Sequence, residues 1–472
     1  MFKLKNILQL SALMFFVMSC DDYLETPPAD LMTSDGFYQT PSQSEQGVVG
    51  IYSDLRELAN SEYLLMSECR SDNAWTEPRP NGLRDFSEIS TFRATSDLAT
   101  FNSVWNTWYK VIYDANTAIA KIAGCNFESN DKIKKQFMGE VYFLRGWAYF
   151  ELSRLFGNVP IIDAPLSPSE VKKVPQSSAR EVLDNIVVPD LINAQTMLPL
   201  KENMVSANGT SIVLQGRADK MAAEAMLARV YMFRAGEPKR DKEVGLANST
   251  TSAEITEYFK KASYYAQLVK NEGHSLTAKY WDFFIDICSD KYNTALNKDG
   301  AKANESIWEV EFAGNRSTDV RAEGRIGNII GIQGKDLSSK ASITGKGDPG
   351  YAYAFIWNTP KLLELYEANG DIDRCNWNIA PFTYTQSAGE GTPVDGREFV
   401  KGKRAEVEQQ YWDQSFSYGK TDPGSTYGDR ESKNDANKNR NRAAAKYRRE
   451  YEADKKSKND TSINFPLLRY SD

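Results

Sequence analysis

Apolar residues recur at steps of three and four through most of the first two-thirds of the chain. In "KIKKQFMGEVYFLRGWAYFELSRLF" (132–156), Phe137, Val141, Leu144, Ala148, Leu152 and Leu155 fall on one stripe of a helix. Gly157 and Asn158 supply a stop, and Val159-Pro160 turns the chain. The same period predicts helices over 44–58, 101–123, 179–197, 217–234 and 255–271. Within "DKMAAEAMLARVYMFRAG", Ala222, Ala225 and Ala228 leave room for a neighbouring helix to approach closely. Paired helices with small residues at their crossings predict tetratricopeptide-type packing, although no clean repeat period can be read.

The period then changes. "ESIWEVEF" (305–312) alternates and reads as a strand. Long polar loops run over 71–97 and 286–304, a Gly-rich stretch covers 314–350, and regular patterns thin out after Tyr366. Loops of such length are functional or disordered. From 429 to 460 the chain carries 11 Lys/Arg against 7 Asp/Glu, the pattern of a solvated, interleaved segment. The expected architecture is mostly α, with helical repeats over about 20–270, a loop-rich part over about 271–472, and a few short strands.

The first residues stand apart. Lys3 and Lys5 precede a mostly apolar run from Ile7 to Val17, which is the build of a secretory signal over 1–19 and too short for a membrane span. Val17-Met18-Ser19-Cys20 resembles the bacterial lipobox, in which the cysteine thiolate takes a lipid as a thioether and becomes the new N-terminus. Lipidation at Cys20 would anchor the mature protein to a membrane, since each buried CH₂ contributes roughly 0.8 kcal/mol. Losing Lys3 and Lys5 makes the formal net charge of −7 more negative, which argues against nucleic acid as a partner.

Catalytic and metal chemistry find little support. Cys69, Cys125, Cys288 and Cys375 are scattered, no C-x-x-C pair occurs, and His274 is the single histidine, so zinc sites and His-dependent triads are not expected. Asn297-Lys298-Asp299-Gly300 lacks the acidic residue that would close a calcium loop. No cofactor is implied and no carboxylate pair is marked, so an enzyme is not expected.

Binding fares better. A glycan site wants exposed aromatics for the apolar sugar face and Asn, Asp, Arg or Lys for the hydroxyls. Trp105, Trp108 and Trp147 lie within amphipathic helices and Trp308 in the strand, where core packing explains them. Trp75 instead lies in a polar loop with Asp72, Asn73, Arg79, Asn81 and Arg84. Tyr292 with Asn293, and Trp377 with Asn378 and Tyr384, are further candidates.

"EVYFLRGWAYFELSRLFGNVPII" (140–162) resembles a motif of the SusD/RagB family, outer-membrane nutrient-binding lipoproteins of Bacteroidetes. "CDDYLETPPADLMTSDGFY", "VWNTWYKVIYDANTAI", "GRADKMAAEAMLARVYMFRAG", "YFKKASYYAQLVKNEGHSL", "NESIWEVEF", "TPKLLELYEANGDIDR" and "NFPLLRYSD" resemble further family segments in the family's order. In the family the last of these leads into further helices, so an uncovered apolar face is expected near it here. The resemblance implies a SusD-like helical fold, an oligosaccharide ligand and a SusC-like TonB-dependent transporter as partner. It also implies a lipid-anchored place on the outer membrane, with Asp21, Asp22 and Glu25 serving as an export signal to the exterior. The alternatives are a helical-repeat lipoprotein that binds peptides or protein partners, and a surface glycosidase.

Overall fold

The predicted helices recur, with shifted ends, in a computed structural model of the chain. It describes residues 36–58, 63, 66–76, 84–128, 130–212, 216–243, 245, 248–278, 280, 283–284, 287, 305–312, 326–330, 356–378, 442–444, 446–447 and 463–472. The main helices are α1 (Pro41–Leu58), α2 (Ala99–Gly124), α3 (Asp131–Phe156), a composite α4 over 179–197, α5 (Lys220–Glu243) and α6 (Ser252–Asn271). Each packs on the next, so the chain winds as a row of helical hairpins. Two shorter helices, α7 (Pro360–Ala368) and α8 (Ile372–Asn378), follow. No helix among the described residues is long and apolar enough to cross a membrane; the 1–19 segment and Cys20 lie outside them.

Seven short strands complete the described structure: β1 (Ala74–Trp75), β2 (Val159–Pro160), β3 (Gln176–Ser177), β4 (Ser306–Val310), β5 (Trp357–Asn358), β6 (Arg442–Ala443) and β7 (Phe465–Arg469). They form the antiparallel sheets β1-β5-β6, β2-β3 and β4-β7. The strand expected over 305–312 is β4, and its partner comes from the "NFPLLRY" stretch.

Helix α3 departs from its sequence pattern. One apolar stripe was expected, yet the helix is buried on nearly every side, because α2 and α4 flank it and α1 also touches it. The polar positions stay inside because each finds a partner, as buried charges must. Arg145 forks onto Asp190 at 2.7 and 2.8 Å and donates to Asn116 Oδ1 at 2.8 Å. Asn116 and Tyr149 in turn each donate to the Ile162 carbonyl at 2.8 Å, pinning the turn after the helix. At the other end Glu140 receives Arg217 through two bonds of 2.7 Å, and Arg217 reaches Glu45 of α1 at 2.7 Å. The helix ends at Gly157, whose φ of +76° suits glycine alone among the common residues.

Helix α5 starts later and ends later than the 217–234 period predicts. Arg217 is drawn out of the helix by Glu140, and Asp219 Oδ1 caps the start by accepting from the Ala222 N–H at 2.9 Å. Beyond Arg234 the helix continues past Pro238, and Arg240 folds back over the Phe233 ring to donate to its carbonyl at 2.8 Å. In α4 a π turn (Leu183–Val187) delivers Pro189 to the first turn of the following segment, where its missing N–H costs nothing.

The tryptophans sort as expected. Trp108, Trp147 and Trp308 are buried and run edge-to-face, 4.8 Å from Trp108 to Trp147 and 4.8 Å from Trp147 to Trp308. Trp105 is half-buried against Phe156. Between α5, α6 and β7 lies an apolar groove of about 950 Å³ bordered by Leu468 and Tyr470, with Met232 (57%), Phe259 (47%) and Leu276 (60%) exposed on it.

Candidate functional site

The loop that carries Asp72, Asn73 and Trp75 is held against α7 by the backbone. Thr359 caps α7, its N–H donates to the Asn73 carbonyl at 3.0 Å, and its hydroxyl donates to the Asp72 carbonyl at 2.6 Å. The adjoining strands β1 and β5 set Trp75 directly opposite Trp357, and Ala74 opposite Asn358. Asn358 is buried, and its side-chain amide donates to the Asn378 carbonyl at 3.0 Å. Stretches far apart in sequence thus converge.

They converge on a cleft of about 550 Å³. One wall is Asn73, Ala74 and Asn358 with Leu362 and Tyr366 of α7. The facing wall is Tyr63 with Phe150, Glu151 and Arg154 of α3 and Arg229 and Phe233 of α5. Phe465 and Pro466 of β7, with Lys446 and Tyr447, complete it.

Its charged groups are largely satisfied within the protein. Glu151 Oε2 accepts from Tyr63 at 3.1 Å and from Arg154 at 2.5 Å, and Arg154 also donates to the Tyr63 hydroxyl at 3.1 Å. Burial, with the Glu151 charge adding to it, pushes the Tyr63 phenol well above its usual range. Burial opposes the charge on Arg154, but Glu151 outweighs it and holds the guanidinium above its ordinary value. Arg229 is tied to the Leu467 carbonyl at 2.9 Å and to Asp472 at 3.1 Å. Lys446 is half-buried over the Phe284 ring, and burial, then Arg469, bring its ammonium down to about 8. With the Glu151 carboxylate held by a phenol and a guanidinium, the cleft offers a ligand amides beside aromatic rings, which suit hydroxylated molecules.

The candidate residues fall into distinct places. Asn73 lines the cleft, and its side-chain amide has no hydrogen-bond partner among the described residues. Asn378 lines it too, but accepts from Tyr280 at 3.0 Å and donates to Tyr366 at 2.8 Å, so it clamps α8 to its neighbours. Asp72 points to solvent and pairs with Lys361, whose hydrogen bond holds the carboxyl below its usual range. For Trp75, Arg84 and Trp377 the backbone alone is described, in β1, at the start of a short helix (Arg84–Ser90) and in α8. Arg79, Asn81, Tyr292, Asn293 and Tyr384 lie outside the described residues.

Sequence reasoning missed Tyr63, Tyr366, Asn358 and Lys446. Tyr366 sits in a helical pattern and Lys446 in a charge run, which hide them. Trp357-Asn358 repeats the aromatic–amide pairing that singled out Trp377-Asn378, and that signal was available. Among the described residues no cluster of His, Cys, Asp and Glu could hold a metal ion.

A SusD-like family model, described as starch-binding and associating with the outer membrane, matches residues 22–232. The SusD-like protein P25 of Formosa agariphila is 27% identical over 387 residues, covering 78% of this chain and 63% of the relative. The chain thus spans less than two-thirds of that relative's length. A crystal structure of a SusD homologue from Bacteroides thetaiotaomicron matches with a TM-score of 0.66 at 18% identity, over 95% of this chain and 74% of that one. A laminarin-binding SusD-like protein matches with a TM-score of 0.53 at 22% identity, over 73% of this chain and 67% of that one. At these identities the two structures speak to fold. Over residues 22–232 in sequence, and over most of the chain in fold, it is similar to SusD-like proteins, a family described as starch-binding and associating with the outer membrane.

Proposed function

We propose that this chain is a surface-exposed, lipid-anchored protein that binds an oligosaccharide and delivers it to a SusC-like TonB-dependent transporter. The observation that carries the reading is the cleft, where Asn73, Tyr63, Tyr366 and Tyr447 gather beside paired charges. Its rings suit the apolar faces of sugars and its amides suit their hydroxyls. The laminarin-binding neighbour shares the fold, which supports a glucan or similar glycan as ligand. Trp75, in β1 beside the cleft-lining Ala74, is the proposed stacking platform. Cys20 and the acidic residues that follow it would tether the protein at the outer face.

Affinity electrophoresis through gels containing starch, laminarin or xyloglucan tests the binding. The wild type should be retarded by at least one of them. Trp75→Ala should weaken that retardation several-fold to about tenfold, as expected for loss of one aromatic contact. Free migration of the wild type in every gel would sink the reading.

A further inference from the structure

Phe92 is the most exposed of the large apolar side chains among the described residues, at 76%. It also holds a backbone φ of +55°, the left-handed region that β-carbon-bearing residues avoid. The cause is local. The short helix Arg84–Ser90 closes with the Arg93 N–H donating to the Glu88 carbonyl at 2.8 Å and the Phe92 N–H to the Ile89 carbonyl at 3.2 Å. That is the Schellman arrangement, whose left-handed position glycine normally fills. After three longer helices this chain follows that rule, with Gly157, Gly273 and Gly370 at positive φ just after α3, α6 and α7; Tyr38 and Glu128, away from helix ends of this kind, also hold positive φ. At 92 it carries a phenylalanine that folding does not bury.

The short helix that carries the ring is firmly held. Ile89 is buried beneath the short helix, and Asp85 Oδ2 accepts from the Thr100 N–H at 2.8 Å and from its hydroxyl at 2.7 Å, tying the helix to the start of α2. The Thr76 N–H donates to Ser90 Oγ at 3.1 Å, so the same helix is fastened to the end of β1, next to Trp75 and to the cleft-lining Ala74. An outlier held by its surroundings, and costing stability without burying anything, points to function.

We infer that Phe92 is a ligand-contacting residue, an exposed aromatic surface outside the cleft lining on which a pyranose ring of a glycan extending past the β1 end of the cleft stacks. The inference rests on the glycan-binding reading above and adds a contact to it. Neither the helical period nor the polar-loop composition singles out this position. The anchored backbone leaves only the two side-chain torsions of the ring to be ordered on binding, which favours its use as a platform.

The test pairs affinity electrophoresis with a thermal melt on Phe92→Gly and Phe92→Tyr. Phe92→Gly should melt a few degrees higher than wild type, since glycine suits the left-handed position, and should bind the retained glycan about two- to tenfold more weakly. Phe92→Tyr should bind as wild type. Unchanged affinity in Phe92→Gly, while the wild type binds, overturns the inference alone. Weaker binding with a lower melting temperature also overturns it, because the ring would then be holding the fold. A wild type that binds no glycan overturns the functional reading itself and this contact with it.

Discussion

Trp147 stands between Trp108 and Trp308 in an edge-to-face row at the centre of the helices, and Trp75 stands on a two-residue strand at the mouth of a loop. The same residue type therefore supports opposite predictions. Trp147→Ala leaves a cavity among residues that cannot collapse into it and should cost about 3–5 kcal/mol, read from urea denaturation. Trp75→Ala should lower glycan affinity with little change in melting. Lys446 supplies a pH signature. Its folded ammonium titrates near about 8, below the unfolded lysine, so between the two values the unfolded chain binds the extra proton. Stability should therefore rise with pH from about 8 towards about 10.4, and Lys446→Met should abolish that rise. The core tryptophans were legible because period places them on helices and a strand. Lys446 was not, because nothing in a run of mixed charges distinguishes the half-buried one.

Helices were the most legible elements. Five of the expected spans agree with the structure to within a few residues at each end, because period, caps and glycine stops point the same way. The start of α5 was misread for a reason of tertiary origin. Arg217 looks like a good helical residue, but the buried Glu140 and the half-buried Glu45 hold it outside the helix. That ion pair joins α1, α3 and the segment before α5, so its loss should be felt across several elements. Arg217→Met leaves Glu140 buried without its guanidinium and should cost about 3–5 kcal/mol, measured by chemical denaturation. A cost near zero would show that the pair is expendable.

At the scale of the molecule, the row of helices builds one side of the cleft and the later segments, 356–378, 446–447 and 463–472, build the other. Local composition could find the Asn73 loop and the Asn378 end of α8 separately. It could not bring them together, because β1–β5 pairing joins residues far apart in sequence. The apolar groove along α5 and α6 belongs to this scale as well. It should bind a hydrophobic dye, and the double variant Met232→Ser with Phe259→Ser should lower the dye signal several-fold without changing the melt, since both side chains are exposed.

The central claim is that glycan binds in the cleft, and hydrogen–deuterium exchange with and without the retained glycan tests it most directly. The account predicts slower exchange on binding at 71–76, 90–93 and 356–362, with α5 and α6 beyond the cleft unchanged. Protection confined to the groove side of α5 and α6, with 71–76 and 356–362 exchanging as in the free protein, would contradict it.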